Sequence, residues 1–212
     1  MMFREKIYLV VAVGTDIGKS FLVENLCRIL PNSSAVKPIE TGFDEGDNNS
    51  DSARILAALG FAISKKNLGE ISPWRFSEAA SPHFAAKNLG KEISFLEVKD
   101  FCQKKILAAK NRDQFFFIEA AGGLMTPINL QKTFLDLAAE LKIPILLVTA
   151  NYLGSISHTL CAIEALKSRK ILVEKIIVNE ALPSPLKPCE SVSETIENFS
   201  GIEVITMKNL IS

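Results

Sequence analysis

Gly18, Lys19 and Ser20 form a stretch in which backbone and side chains could act together on a phosphate. Glycine lets the backbone approach an anion closely, a lysine ammonium reaches outer phosphates, and a serine hydroxyl can ligate Mg2+. The general phosphate-binding loop, or P-loop, reads G-x-x-x-x-G-K-[ST] and joins a strand to a helix, where free N–H groups converge. Counting back from Lys19, its first glycine belongs at position 13; Val13 stands there, and Gly14 comes one place late. A turn that happens to contain GKS and a nucleotide loop with an altered start both account for the three residues alone. The flanks favour the loop. "KIYLVVAV" (6–13) has the length and β-branched content of a buried strand, and Phe21, Leu22, Leu26, Ile29 and Leu30 are helically spaced in "SFLVENLCRIL" (20–30).

Other reactive side chains follow other predicted strands. Lys37 and Thr41 lie in "SAVKPIETG" (34–42), Glu119 ends "FFFIE" (115–119), and Asn179 ends "ILVEKIIVN" (171–179). Ligands of parallel α/β sheets bind at the carboxyl ends of strands, so these positions make one constellation. An ammonium there can stabilise charge developing on a phosphoryl group, and a strand-end carboxylate is placed to hold a metal. Plainer readings exist: a surface lysine before a proline, an acid exposed to water, and an Asp51 that merely caps its helix. Asp44 and Asp47 share the loop before Asp51, and composition alone does not choose among them.

Apolar runs alternate with helical patterns through the chain. Helices are expected over 51–60, from Pro82 to about Leu89, over 94–110, around 132–142, over 154–168 and from about Ser191. Ser94 and Glu97 suit a capping box. Residues 61–80 carry no regular pattern, "IPILLVTA" (143–150) is a clear strand, and "GIEVITM" (201–207) reads as the last one. This alternation predicts an α/β fold: a single domain over 1–212, three-layered and P-loop NTPase-like, with a mostly parallel central sheet flanked by helices.

Lys plus Arg equal Asp plus Glu at 24 each, which argues against bulk electrostatic binding to nucleic acid or a membrane. The four cysteines are far apart and make no C-x-x-C pair. The first apolar run is too short and wrongly flanked for a signal peptide or membrane span, so a cytoplasmic protein is expected.

The loop resembles that of the ATP-dependent dethiobiotin synthetase family, roughly G-T-D-T-x-x-G-K-T. Matching Gly14-Thr15-Asp16 to G-T-D would delete two loop residues. The gapless register instead puts Ala12 at the family's glycine, and it is preferred because a shortened loop could hardly wrap a triphosphate. "KPIETG" (37–42) resembles K-P-[IV]-x-[ST]-G, "NNSDS" (48–52) resembles N-S-D-A, and "FFFIEAAGG" (115–123) resembles a strand ending in E-G-A-G-G. "SPH" (81–83) matches S-P-H, "YLGSISH" (152–158) resembles K-L-G-x-I-N-H, and Asn179-Glu180 resembles an Asn-Asp pair that contacts adenine. The departures are Ala12, Ala120, Tyr152, Ser157 and Glu180, and residues 181–212 carry no resemblance.

The resemblance implies Lys19 and Lys37 as catalytic cations. It implies ATP contacts from Asp16, Ile17, Gly18, Lys19, Ser20 and Phe21 in the loop, and from Asp51, Glu119, Gly122 and Asn179 beyond it. Mg2+ would be held by Ser20, Asp51 and Glu119. Substrate contacts would come from Thr15, Lys37, Thr41 and Pro82, and from Gly154 and Ser157 at a helix start that reaches across a homodimer interface to the substrate's carboxylate tail. The implied reaction joins 7,8-diaminononanoate and CO2 (or bicarbonate as its source) with ATP to give dethiobiotin, ADP and phosphate. Three alternatives stand beside it: a related P-loop amidating or carboxylating ligase, a partitioning-type ATPase switch, and a nucleotide binder that has lost catalysis. Partitioning ATPases carry a signature lysine early in the loop, where this chain has Gly14.

Overall fold

The computed structural model describes residues 3–181 and 189–211. Its centre is β1 (Ile7–Ala12), buried along its whole length as its unbroken apolar sequence requires. Around it stand β2 (Ser33–Val36), β5 (Phe115–Glu119), β6 (Ile145–Ala150), β7 (Val173–Asn179) and β8 (Val204–Thr206), in the order β2-β5-β1-β6-β7-β8. Every pairing is parallel, so all carboxyl ends face one side. Among the described residues the helices are α1 (Lys19–Ile29), α2 (Asp51–Ala58), α3 (Lys65–Ile71), α4 (Pro82–Asn88), α5 (Phe95–Asn111), α6 (Phe134–Leu141), α7 (Ser155–Ser168), α8 (Cys189–Ser200) and α9 (Met207–Ile211). On the sheet's flanks α1 packs with α2 and α9, α5 with α6, and α7 with α8. Tyr8, Leu9, Val10 and Val11 meet Leu146, Leu147 and Val148 in a core without solvent contact.

Several expectations need correction. The segment 34–42, expected as a short strand running into a polar loop, instead contributes to two strands. It breaks at Lys37-Pro38, because proline has no N–H for a ladder. Lys37 N instead donates to Ile71 O (3.1 Å), and the chain continues as β3 (Ile39–Thr41), which pairs in parallel with β4 (Trp74–Phe76) in a separate two-stranded sheet. Residues 61–80 therefore hold α3, capped by Ser64, and β4. Ser94 Oγ does accept from Glu97 N (3.3 Å), but the reciprocal capping box lies at Thr133 and Asp136 on α6. α8 begins two residues before Ser191, and the last strand stops at Thr206 and gives way to α9.

Candidate active site

The sheet order does the work of assembly. β2, β5 and β1 are neighbours, so Lys37 after β2, Glu119 at the end of β5 and the loop after β1 emerge side by side. The loop turns through Asp16 (φ 56°) and Gly18 (φ 109°) into α1. Gly18 has no substitute, since a Cβ there would lie 2.6 Å from Asn179 Nδ2 as well as in a strained backbone region. Asn179 comes from the end of β7, and its Nδ2 donates to Ile17 O (3.0 Å), bracing the loop from behind. Gly122 (φ 68°) is equally constrained, for a Cβ would meet Thr126 Oγ1 at 2.5 Å.

Lys19 is 5% exposed, and its ammonium donates to Gly14 O (3.1 Å). Burial pulls it down to about 8, against the opposing pull of the Glu119 carboxylate. Beside it Ser20 Oγ donates to Glu119 Oε1 (2.6 Å). Lys37 Nζ donates to the same oxygen (2.7 Å) and pairs closely with Asp51 Oδ2. Burial alone would lower Lys37, but Glu119 and then Asp51 outweigh it and hold the ammonium protonated well above its ordinary range. Lys37 in turn keeps Asp51 below the usual carboxylate range against the effect of burial. Glu119 is wholly buried, and its Oε2 has no hydrogen-bond partner.

The choice among the three aspartates is settled by geometry. Asp44 Oδ1 accepts from Gly46 N (2.9 Å) and Asp47 Oδ1 from Asn49 N (2.7 Å), so both serve turns of their own loop. Ser50, not Asp51, caps α2 and accepts from Ala53 N (3.3 Å). Asp51 is thereby left free to meet Lys37.

A cleft of about 330 Å³ opens over this cluster. Thr15, Asp16, Gly18, Lys19, Ser20 and Phe21 line it from the loop side, and Lys37, Thr41, Asp51 and Gly122 from the other. Glu119 lies beneath, reaching it through Ser20 and Lys37. Ile17, Asn179, Pro82, Gly154 and Ser157 do not line the cleft: Ile17 and Asn179 are buried and bonded to each other, Pro82 is buried at the start of α4, and Gly154 and Ser157 are exposed at the start of α7. Two lining residues were not anticipated, Ala121 and Arg54. Arg54 sits three residues after Asp51 on α2, a spacing that puts both on one face. Its Nε donates to Glu24 Oε2 (2.8 Å) on α1, which tethers the guanidinium at the cleft wall.

Hard oxygen donors lie together here: the Ser20 hydroxyl and the Asp51 carboxylate line the cleft, and Glu119, bonded to Ser20 through Oε1 beneath it, keeps an unpartnered Oε2. That set suits Mg2+, which takes one or two carboxylates and completes its shell with water and substrate phosphates. Among the described residues no group of three or more His, Cys, Asp or Glu side chains could hold a metal, so a wholly protein-made cage is not on offer.

Comparison with known proteins agrees with this geometry. A family model described as an AAA domain matches residues 6–207. An ATP-dependent dethiobiotin synthetase of Methylobacterium nodulans is 33% identical over 204 residues, covering 92% of this chain and 90% of the relative. One from Legionella pneumophila (strain Paris) is 39% identical over 177 residues, 82% of this chain and 80% of its own. The chain belongs to the ATP-dependent dethiobiotin synthetase family. A ParA family ATPase from Chlorobium tepidum superposes with a TM-score of 0.53 over 97% of this chain and 88% of its own, at 14% identity, which speaks for a shared P-loop fold alone.

Against the family's motifs three of the departures, Ala120, Glu180 and Tyr152, have local accounts. Ala120 is buried and does not have a positive φ, so it adds no backbone strain where the family has glycine. Glu180 Oε2 accepts from Met207 N (3.1 Å) and Oε1 from Lys208 N (2.9 Å), so this carboxylate caps α9. Tyr152 Oη lies 2.8 Å from His158 Nδ1, a contact across the first turn of α7.

Proposed function

We propose that this chain is a single-domain cytoplasmic enzyme that carboxylates 7,8-diaminononanoate with CO2 and closes the ring to dethiobiotin, using ATP and Mg2+ in a homodimer. The observation that carries the reading is the contact of Lys37 with Asp51 and Glu119 directly beside Lys19 and Ser20 of the P-loop. Family membership supports the substrate and the homodimer. No described helix is long and apolar enough to cross a membrane.

In this reading one substrate amine adds to CO2 and becomes a carbamate. A carbamate oxygen then takes the γ-phosphoryl group, and ADP leaves. The second amine attacks the carbonyl of the mixed anhydride, phosphate departs, and the cyclic urea closes. The loop's N–H groups and Lys19 hold the phosphates, while Lys37 faces the transferring group and stabilises its charge. Ser20, Asp51 and Glu119 would hold Mg2+, which when bound neutralises phosphate charge. Positioning supplies much of the remainder, because substrate amines are themselves the nucleophiles. Phe21, Ile17 and Asn179 shape the nucleotide side, and Thr15 and Thr41 the substrate side. Pro82, Gly154 and Ser157, outside the cleft, belong to tail recognition completed by a second protomer.

The test is phosphate release from ATP with Mg2+ and bicarbonate, with and without the diamine. Diamine-dependent release with a cyclic urea product by mass spectrometry is the expected result. Tight ATP binding without that release would sink the substrate assignment and point to a related amidating ligase.

A further inference from the structure

Glu40 is 3% exposed on β3, yet it neither lines the cleft nor pairs with a cation at contact distance. Its partner is Ser52, the second residue of α2 and itself wholly buried. Glu40 Oε1 accepts from Ser52 N (3.2 Å), and Oε2 accepts from the Ser52 hydroxyl. The first turn of any helix leaves N–H groups without intrahelical partners. In α2 Ser50 satisfies the N–H of Ala53 and Glu40 that of Ser52, so two separate elements cap one helix end. Burial outweighs the Ser52 bonds and pushes the Glu40 carboxyl up; in its ionised form it also suits the positive end of the helix dipole.

The location gives this cap a use. Ser52 directly follows Asp51, and Glu40 lies three residues beyond Lys37. One buried link between β3 and α2 thus closes the exposed loop 42–50 and fixes where Asp51 stands relative to Lys37 and Glu119. The family motifs given above leave the Glu40 position open and carry alanine in place of Ser52, so the pair is not part of the shared signature.

We propose that the Glu40–Ser52 pair is a positioning device for the metal and phosphate site, holding the first turn of α2 so that Asp51 can act as a metal ligand. This rests on the Mg2+ reading above. Neither residue lines the cleft. Groups hydrogen-bonded directly to a metal ligand typically change metal affinity by 10- to 100-fold when removed, and a group that holds the residue beside the ligand is expected at the low end of that scale.

The experiment is Mn2+ binding to the full chain by electron paramagnetic resonance, with a non-hydrolysable ATP analogue present, alongside thermal unfolding. Glu40→Ala should weaken Mn2+ binding about tenfold. Glu40→Gln, which still offers an oxygen to Ser52 N, should recover most of that loss. Leu56→Ala, a core truncation on the same helix, should lower the unfolding temperature and leave Mn2+ affinity within about twofold. Undiminished Mn2+ affinity in Glu40→Ala, or an equal loss in Leu56→Ala, would overturn the positioning role. Should Glu40→Ala fail to fold, Glu40→Met combined with Ser52→Ala replaces both partners with apolar side chains and removes both bonds, and is expected to show the tenfold loss; wild-type affinity there overturns the proposal. Absence of Mn2+ binding in the wild type would overturn the metal reading itself and this inference with it, a result distinct from wild-type binding that the variants leave intact.

Discussion

Lys37 carries two burdens in one side chain. Its ammonium neutralises Asp51 and the wholly buried Glu119, and the same charge is available to a phosphoryl group in the adjoining cleft. Replacing it with an apolar side chain therefore leaves a buried carboxylate without its partner, a change that typically costs about 3–5 kcal/mol. Lys37→Met is expected to unfold at lower temperature than the wild type, and added Mg2+ should recover more stability in the variant, because a second cation can take the place of the first. Differential scanning calorimetry with and without Mg2+ checks this; equal recovery in both proteins would separate Lys37 from the metal ligands. The proposed catalytic role of Lys37 has its own readout. Turnover of Lys37→Met should fall roughly 100- to 1,000-fold, the scale of losing one charge-stabilising donor, while ATP-analogue affinity moves only a few-fold. Unchanged turnover would remove Lys37 from the chemistry. Glu119→Gln keeps the shape of the side chain and can still bond Ser20 and Lys37, but it loses the charge a cation needs. Its half-saturating Mg2+ should rise tenfold or more, on the scale of losses at metal sites, and an unchanged metal titration would refute the ligand role.

At the scale of elements, helix ends decide how firmly the site is held. α6 follows the loop after β5 and starts at the reciprocal box of Thr133 and Asp136. Burial pushes the Asp136 carboxyl up, but the Thr133 N–H (2.9 Å) and hydroxyl (3.0 Å) outweigh it and hold the group below its ordinary range. A carboxyl lowered in the folded state contributes stability that is complete above its unfolded value and disappears as pH falls through the folded one. Asp136→Asn should therefore cost about 1 kcal/mol at pH 7, and the gap to the wild type should narrow steadily below about pH 4. Urea unfolding at a series of pH values measures it, and a gap independent of pH would mean that the charge contributes nothing. The same scale explains what the sequence reveals. β1, β5 and β6 are legible because a strand buried on both faces reads as a near-continuous apolar run, and β7 through Ile176, Ile177 and Val178 despite Glu174 and Lys175 before them. β3 and β4 have three residues each, too few to display a period, and α9 has five. α3 is a seven-residue helix that contains Gly69, which blurs its pattern. Lys19, Ser20, Lys37, Asp51 and Glu119 stand out since each adjoins a strand end or a helix start. Their meeting depends on the order β2-β5-β1, which no local pattern encodes. Arg54 and Glu40 escape notice for a related reason: what defines them is a partner, Glu24 or Ser52, on another element.

At the scale of the molecule, the cleft and the start of α7 are separate places. The P-loop, Lys37, Thr41 and Asp51 share one cavity, whereas Gly154 and Ser157 face solvent beyond it. A substrate with reactive amines at one end and a carboxylate at the other needs both kinds of site. Free N–H groups and dipole at the start of a helix suit the carboxylate. If a second copy supplies that helix start, assembly becomes part of substrate recognition, and apolar surface near α7 gains a purpose. Leu153 is 83% exposed immediately before α7, and Met125 is 58% exposed in a cavity wall shared with His158 and Cys161. Leu153→Asp places a charge at that surface without touching the P-loop or the carboxylate cluster. The wild type is expected to sediment at twice the 23.2 kDa chain mass, and Leu153→Asp as a monomer. ATP-analogue affinity should be unaffected, because the nucleotide side of the cleft is built within one chain. KM for the diamine should rise roughly tenfold or more, the cost of about one charge-assisted hydrogen bond. A monomeric variant with an unchanged KM would mean that each protomer recognises the carboxylate by itself, and the search for the tail site would then move to the cleft's own rim at Thr15 and Thr41.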